Sequence, residues 1–213
     1  GSEIPVTGFQ VNGDVLSSCF TPDNSCFLTS YYDGFAEIWN LKGEKILRFD
    51  GVKGIHDSAC FSPDGQLVLT WQTGSSQETG GQIWNIKGEL LHYFEGAIKT
   101  SCFSPDSKRV LIGYHFGAVI MWDLSGNKVL DLQSDTVRPT VQLVSFSPDG
   151  KLILIGFWGI ITLFDLKGVV QWSFEIEAND TLVHSACFFA EGARIAVSSL
   201  YKIYILDFQG RKV

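Results

Sequence analysis

The chain has 213 residues, 45% of them apolar, enough for a sizeable buried core. Its 16 basic and 23 acidic residues leave a net charge of −7, which favours solubility and repels a phosphate backbone, so no nucleic-acid partner is expected. No apolar run approaches the roughly 18 to 20 residues of a membrane span and no basic-then-apolar signal opens the chain, so the expectation is a cytoplasmic protein with no membrane role.

Gly1 and Ser2 look like the remnant of a cleaved expression tag, so residues 1–3 are set aside as a leader and residues 4–213 are expected to form one domain. Along that stretch, an apolar run at Ile4 to Phe9 reads as a strand. Ser-Cys-Phe-Thr-Pro-Asp-Asn follows at 18–24, then Trp39, Gly43 and a run at Lys45 to Phe49. The pattern restarts with Ala-Cys-Phe-Ser-Pro-Asp-Gly at 59–65 and strand-length runs at Gln66 to Trp71, Gln82 to Ile86 and Leu90 to Phe94, with Trp84 and Gly88 inside it. Ser-Cys-Phe-Ser-Pro-Asp-Ser at 101–107 leads to Trp122, Gly126 and Lys128 to Leu132. Val-Ser-Phe-Ser-Pro-Asp-Gly at 144–150 leads to Phe164, Gly168 and Val169 to Phe174. A weakened Ala-Cys-Phe-Phe-Ala-Glu-Gly at 186–192 leads to Leu206 and Gly210.

The shared phenylalanines Phe20, Phe61, Phe103, Phe146 and Phe188 are 41, 42, 43 and 42 residues apart, a firm internal period. The runs are rich in β-branched and aromatic residues and bounded by turns, and none repeats near 3.6, so no helix longer than about two turns is expected. Pro presets φ in the Ser-Pro-Asp-Gly turns and Gly tolerates positive φ. Runs such as Leu152-Ile153-Leu154-Ile155 are nearly continuous in apolar residues, which implies burial on both faces of a sheet.

Four of the five cysteines, Cys19, Cys60, Cys102 and Cys187, recur at one point of the repeat. They are read as reduced core residues, because zinc ligands normally come in closer pairs and nothing in the spacing hints at a disulfide. No metal or cofactor is expected.

The Ser-Pro-Asp-Gly turns, with Trp-Asn-Leu-Lys-Gly, Trp-Asn-Ile-Lys-Gly and Trp-Asp-Leu-Ser-Gly, resemble the WD40 repeat family over residues 4–213. The resemblance implies an all-β fold, a β-propeller of four-stranded antiparallel blades. Strand a would hold the shared Phe, strand b follow the Pro-Asp turn, strand c end at the Trp position and strand d lie outermost. Five strand-d candidates, the first at residues 4–9, point to five blades closed by the N-terminal strand, and so to a monomer; the alternative is a fragment of a longer array. The family's Gly-His pair is missing and its b–c Asp survives only at Asp33, so apolar packing is expected to replace its buried polar network.

No phosphate loop, nucleophile elbow or His-Glu-x-x-His motif is present, and His56, His92, His115 and His184 are scattered over four repeats. Four residues before each shared Phe stand Leu16, Asp57, Lys99, Gln142 and His184, five different chemistries at one repeated position on the face that carries the b–c loops. Those loops hold Tyr31, Tyr32, Trp71, Tyr114, His115, Phe116, Phe157, Trp158 and Tyr201. Clustered aromatics favour interfaces, or else they wedge blades apart in place of the lost network. Residues 72–81, rich in Gly, Ser and Thr, form an insertion in the second repeat. The expected function is a non-catalytic scaffold for a protein or peptide partner; the alternatives are a lectin-like five-bladed propeller and an enzyme or small-molecule sensor using the channel.

Overall fold

The computed structural model describes residues 11, 13–50, 58–72, 79–132, 140–177, 182–189 and 192–213. Among them there is no helix, and 19 strands form five antiparallel meanders. The first sheet runs β1 (Val15–Phe20), β2 (Cys26–Tyr31), β3 (Phe35–Asn40), β4 (Lys45–Asp50). The second runs β5 (Ser58–Phe61), β6 (Leu67–Trp71), β7 (Gly80–Asn85), β8 (Leu90–Glu95). The third runs β9 (Ile98–Phe103), β10 (Arg109–Tyr114), β11 (Val119–Asp123), β12 (Lys128–Asp131). The fourth runs β13 (Leu143–Phe146), β14 (Leu152–Phe157), β15 (Ile160–Asp165), β16 (Val170–Glu175). The fifth keeps three strands, β17 (Val183–Phe189), β18 (Arg194–Ser199) and β19 (Ile203–Asp207).

The turns set the register. Each shared Phe pairs with the residue seven positions on, Phe20 with Phe27, Phe61 with Val68, Phe103 with Val110, Phe146 with Ile153 and Phe188 with Ile195. In the first four turns a hydroxyl both donates to the turn Asp and accepts the backbone N–H that opens the next strand. Ser62 Oγ lies 2.6 Å from Asp64 Oδ1 and 2.9 Å from Leu67 N, and Thr21, Ser104 and Ser147 do the same. These bonds hold the turn aspartates below the usual carboxylate range, Asp23 at about 2 through Thr21 and Ser25. The residue after each Trp position closes the next turn: Asn40, Asn85, Asp123, Asp165 and Asp207 each accept two backbone N–H groups through Oδ1.

Successive sheets stack face to face through four apolar clusters. Leu28, Ile38 and Phe49 meet Val68 and Trp84; Leu69, Trp71 and Ile83 meet Ile98 and Ile112; Leu111 and Met121 meet Ile153 and Phe164; Leu154 and Leu163 meet Val197 and Leu206. Both faces of β14 are therefore covered, as its unbroken apolar run demands, while outer strands such as β4 alternate exposed and buried. The innermost strands touch from sheet to sheet, where Ala59 N donates to Ser17 Oγ at 3.3 Å and Cys19 Sγ to Ala59 O at 3.7 Å.

Turns also interlock in one direction. Gly65, Gly150 and Gly192 lie against Pro22, Pro105 and Pro148 of the preceding sheet. Gly126 and Gly210 run so close to His92 and Trp172 of the preceding outer strand that an added Cβ would fall 2.1 and 2.6 Å from those rings. With φ of 81° and 77°, both positions require glycine.

The fifth sheet departs from the others. Cys187 is exposed, not a core residue, because among the described residues no cluster covers the face of β17–β19 turned away from the fourth sheet. Ile203 on that face is 74% exposed, whereas its counterpart Ile161 is fully buried. The outer-strand role expected for residues 4–9 lies outside the described residues. The first rungs of that strand are taken from the other end of the chain: Leu206 bridges Lys212 and Val213 N donates to Ile205 O at 3.0 Å, as Trp39 pairs with Lys45 in the first sheet. Within this mainly apolar packing two polar pairs stand out, Trp39 Nε1 donating to Thr29 Oγ1 at 2.9 Å and Trp84 Nε1 to Thr70 Oγ1 at 3.0 Å. Where Ile112 replaces the threonine, buried Trp122 Nε1 lacks that acceptor.

Candidate functional site

The loops entering strand a and the turns between strands b and c lie together at one end of the sheets, tied by Tyr32 N to Asp14 O (3.0 Å), His115 N to Ala97 O (2.8 Å) and Ile176 N to Gly159 O (2.8 Å). All the candidate residues that the structure describes belong to this end. The structure sorts them by strand alternation.

Tyr31, Tyr114 and Phe157 end strand b on the face turned toward the preceding sheet or into a cluster. Tyr31 is fully buried, its ring stacked on Phe35 at 4.4 Å, and burial raises its phenol pKa. Burial likewise pushes Tyr114 up to about 12. Phe157 belongs to the cluster between the third and fourth sheets. Trp71 stands one register earlier, where the other sheets have Ser30, Gly113, Gly156 and Ser198, and packs on the third sheet. It fits because its pairing partner Gly81 has no Cβ to approach Ile98, from which an added one would lie 2.9 Å. Trp71, Tyr114 and Phe157 thus pack between sheets, and Tyr31 packs within its own.

The residues that follow turn outward. Tyr32, Phe116, Trp158 and Tyr201 are 55%, 74%, 54% and 75% exposed, one each from the first, third, fourth and fifth sheets. The second sheet's turn falls at residues 73–78, outside the described residues. His115 is half-buried beside Phe116; burial and then the charge of Lys99 hold it below the usual histidine range.

The repeated position before strand a has a structural cause that sequence reading missed. Leu16, Lys99 and His184 are each the extra residue of a β-bulge, since Val15 pairs with Tyr31 and Ser17 with Ser30, and the third and fifth sheets repeat the slip. A bulged residue is released from the ladder and its side chain re-aimed, which frees its chemistry to vary. Leu16 and His184 are exposed, Lys99 and Gln142 half-buried, and Asp57 lies outside the described residues. Among the described residues no group of three or more His, Cys, Asp or Glu is placed to hold a metal ion.

Four-stranded meanders stacked through apolar clusters, with a Trp-anchored strand c and Ser-Pro-Asp turns, define the WD40 type of β-propeller blade. Residues 4–40 match the family described as WD domain, G-beta repeat. The blade pattern and this match support the WD40-repeat family. It is 34% identical to the Drosophila melanogaster WD repeat-containing protein 26 homolog over 51% of its own length and 18% of that protein's. It is 28% identical to human apoptotic protease-activating factor 1 over 65% of the chain and 12% of that protein. With the human U3 small nucleolar RNA-associated protein 4 homolog it shares 24% identity over 82% of the chain and 27% of that protein. The chain thus spans about a quarter or less of the length of these relatives.

Proposed function

We propose that the chain is a non-catalytic scaffold whose exposed aromatic rim takes up a protein or peptide partner. WD40 repeats serve in general as protein-interaction scaffolds. The observation that carries the reading for this chain is the rim itself: Tyr32, Phe116, Trp158 and Tyr201 stand exposed at one end of four sheets, each one residue or two beyond a buried strand end. Exposed aromatics on a rigid frame bury large area on binding with few torsions to freeze. The bulged Leu16, Lys99 and His184 surround them with apolar and basic character.

The test is affinity capture with the chain as bait, repeated with Phe116→Ala and Trp158→Ala. A partner of the rim is expected to lose roughly 2 kcal/mol of binding energy in at least one variant, while the unfolding midpoint of each stays within the small range of surface substitutions. Equal capture by both variants would refute the rim as the site.

A further inference from the structure

The aromatic rim carries charges as well as rings, and one of them has no counterpart. Lys99 is the extra residue of the bulge in β9: Gly113 pairs with Thr100 and Tyr114 with Ile98, so no residue of β10 stands opposite it. A bulge re-aims the side chain it releases from the ladder. The backbone N–H of His115 donates to Ala97 O at 2.8 Å, which ties the b–c turn of the third sheet to the entry of β9 and brings Phe116, 74% exposed, to the same corner of the rim. The charge of Lys99 reaches the His115 imidazole, whose pKa is lowered first by burial and then by that charge.

The Lys99 side chain is half-buried, and among the described residues its ammonium has no ion-pair partner. The lysine of the fifth sheet's b–c turn, Lys202, is by contrast held by Glu177 of the fourth sheet. At the position of Lys99 the first, fourth and fifth sheets carry Leu16, Gln142 and His184, and the exposed carboxylates Asp14 and Asp33 belong to the first sheet, two sheets away.

A half-enclosed lysine keeps its head group in water. A partner that lies on Phe116 strips part of that water, and a dehydrated ammonium without a counter-charge is costly. A carboxylate brought by the partner removes the cost, whereas an apolar or basic residue in that place is penalised, so the same lysine attracts one kind of partner and rejects others. A single ammonium on a chain of net charge −7 suits a single negative charge; a phosphate, with nearly two charges and three acceptor oxygens, calls for several donors.

We propose that Lys99 receives the carboxylate of a glutamate or aspartate side chain of a partner protein, beside an apolar residue of the same partner packed on Phe116. This rests on the rim as the docking face and adds the chemistry by which the rim selects what it binds.

The experiment titrates the folded chain with the peptide acetyl-Gly-Leu-Glu-Phe-Gly-amide and follows the Phe116 amide signal and the pH titration of the His115 imidazole by NMR. At saturation the His115 pKa is expected to rise, because the carboxylate offsets the Lys99 charge that lowers it. Replacing the peptide's glutamate by glutamine is expected to weaken binding about fivefold or more and to leave the His115 pKa in place. Lys99→Gln is expected to raise that pKa by itself and to bind both peptides equally, and Lys99→Arg to restore the preference. Lys108→Gln, the same change of net charge at an exposed lysine of the opposite end, is expected to preserve it. No binding of the glutamate peptide, no rise at His115, or a preference that survives Lys99→Gln would each overturn the proposal. Equal binding of the two peptides that is still lost in Phe116→Ala would overturn the carboxylate and keep the rim; a glutamate preference undiminished in Phe116→Ala would overturn the rim and the proposal with it.

Discussion

The fourth and fifth sheets are written in nearly the same pattern and live in different surroundings. In the fourth, Leu154 and Leu163 face the fifth sheet while Ile153 and Ile155 face the third, and all four are essentially inaccessible. In the fifth, Ile195 and Val197 are buried against the fourth sheet, but Ile203 on the other face is exposed and Ala196 and Ile205 are only half-buried. The difference teaches that a blade's core is not its own: each inner sheet supplies half of two clusters, and burial depends on the neighbour as much as on the apolar residue.

Thiol labelling under native conditions gives the largest contrast. Cys60 and Cys102 are half-buried between sheets, and burial raises their thiol pKa, that of Cys102 to about 12, so their thiolate is scarce. Their labelling is expected to run at least about tenfold slower than that of exposed Cys187. Equal protection of Cys187 in mass-spectrometric labelling would show that its face is covered in solution.

Substitutions give the next contrast. Leu154→Ala is expected to cost about 2–5 kcal/mol in denaturant unfolding, as for a leucine in a closed core. Ile203→Ser is expected to stay within about 0.5 kcal/mol, the range of exposed sites. A loss at Ile203 as large as that at Leu154 would erase the distinction between the two sheets.

A smaller effect sharpens the same point within the second and third sheets. Thr70→Val removes the acceptor of the buried Trp84 indole and is expected to cost about 1–3 kcal/mol. Trp122 already stands opposite Ile112 without such a partner, so Ile112→Val is expected to cost only about 0.5–1.5 kcal/mol from lost volume. Equal losses at the two sites would show that the Trp–Thr bond contributes nothing of its own.

The five-fold period, the turn chemistry and the strands were legible because each is local: a Pro-Asp turn fixes the pairing of Phe61 with Val68 whatever else the chain does. The sorting of the aromatics was within reach, since Phe27, Thr29 and Tyr31 share a face by two-residue alternation and Tyr32 must leave it. Other features needed three dimensions. The bulges at Leu16, Lys99 and His184 arise from register across a strand pair. The early placement of Trp71 depends on Gly81 opposite it, and the exposure of Cys187 on what stacks beyond its sheet.

The interlocking turns bear on how the molecule comes into being. Gly65 rests on Pro22, Gly150 on Pro105 and Gly192 on Pro148, and Gly126 and Gly210 likewise lie against rings that precede them in the chain. In every one of these contacts the later segment is the one without a side chain, and the earlier one provides the bulky group. A ribosome delivers the chain in that same order, at about 5–20 residues per second. Each proline or ring is therefore synthesised before the glycine that must pass close to it, and at these turns the later segment meets a finished seat. In a molecule whose contacts run mainly between neighbours, growth can proceed from the N-terminal side as a row of successive dockings, each completed before the next begins.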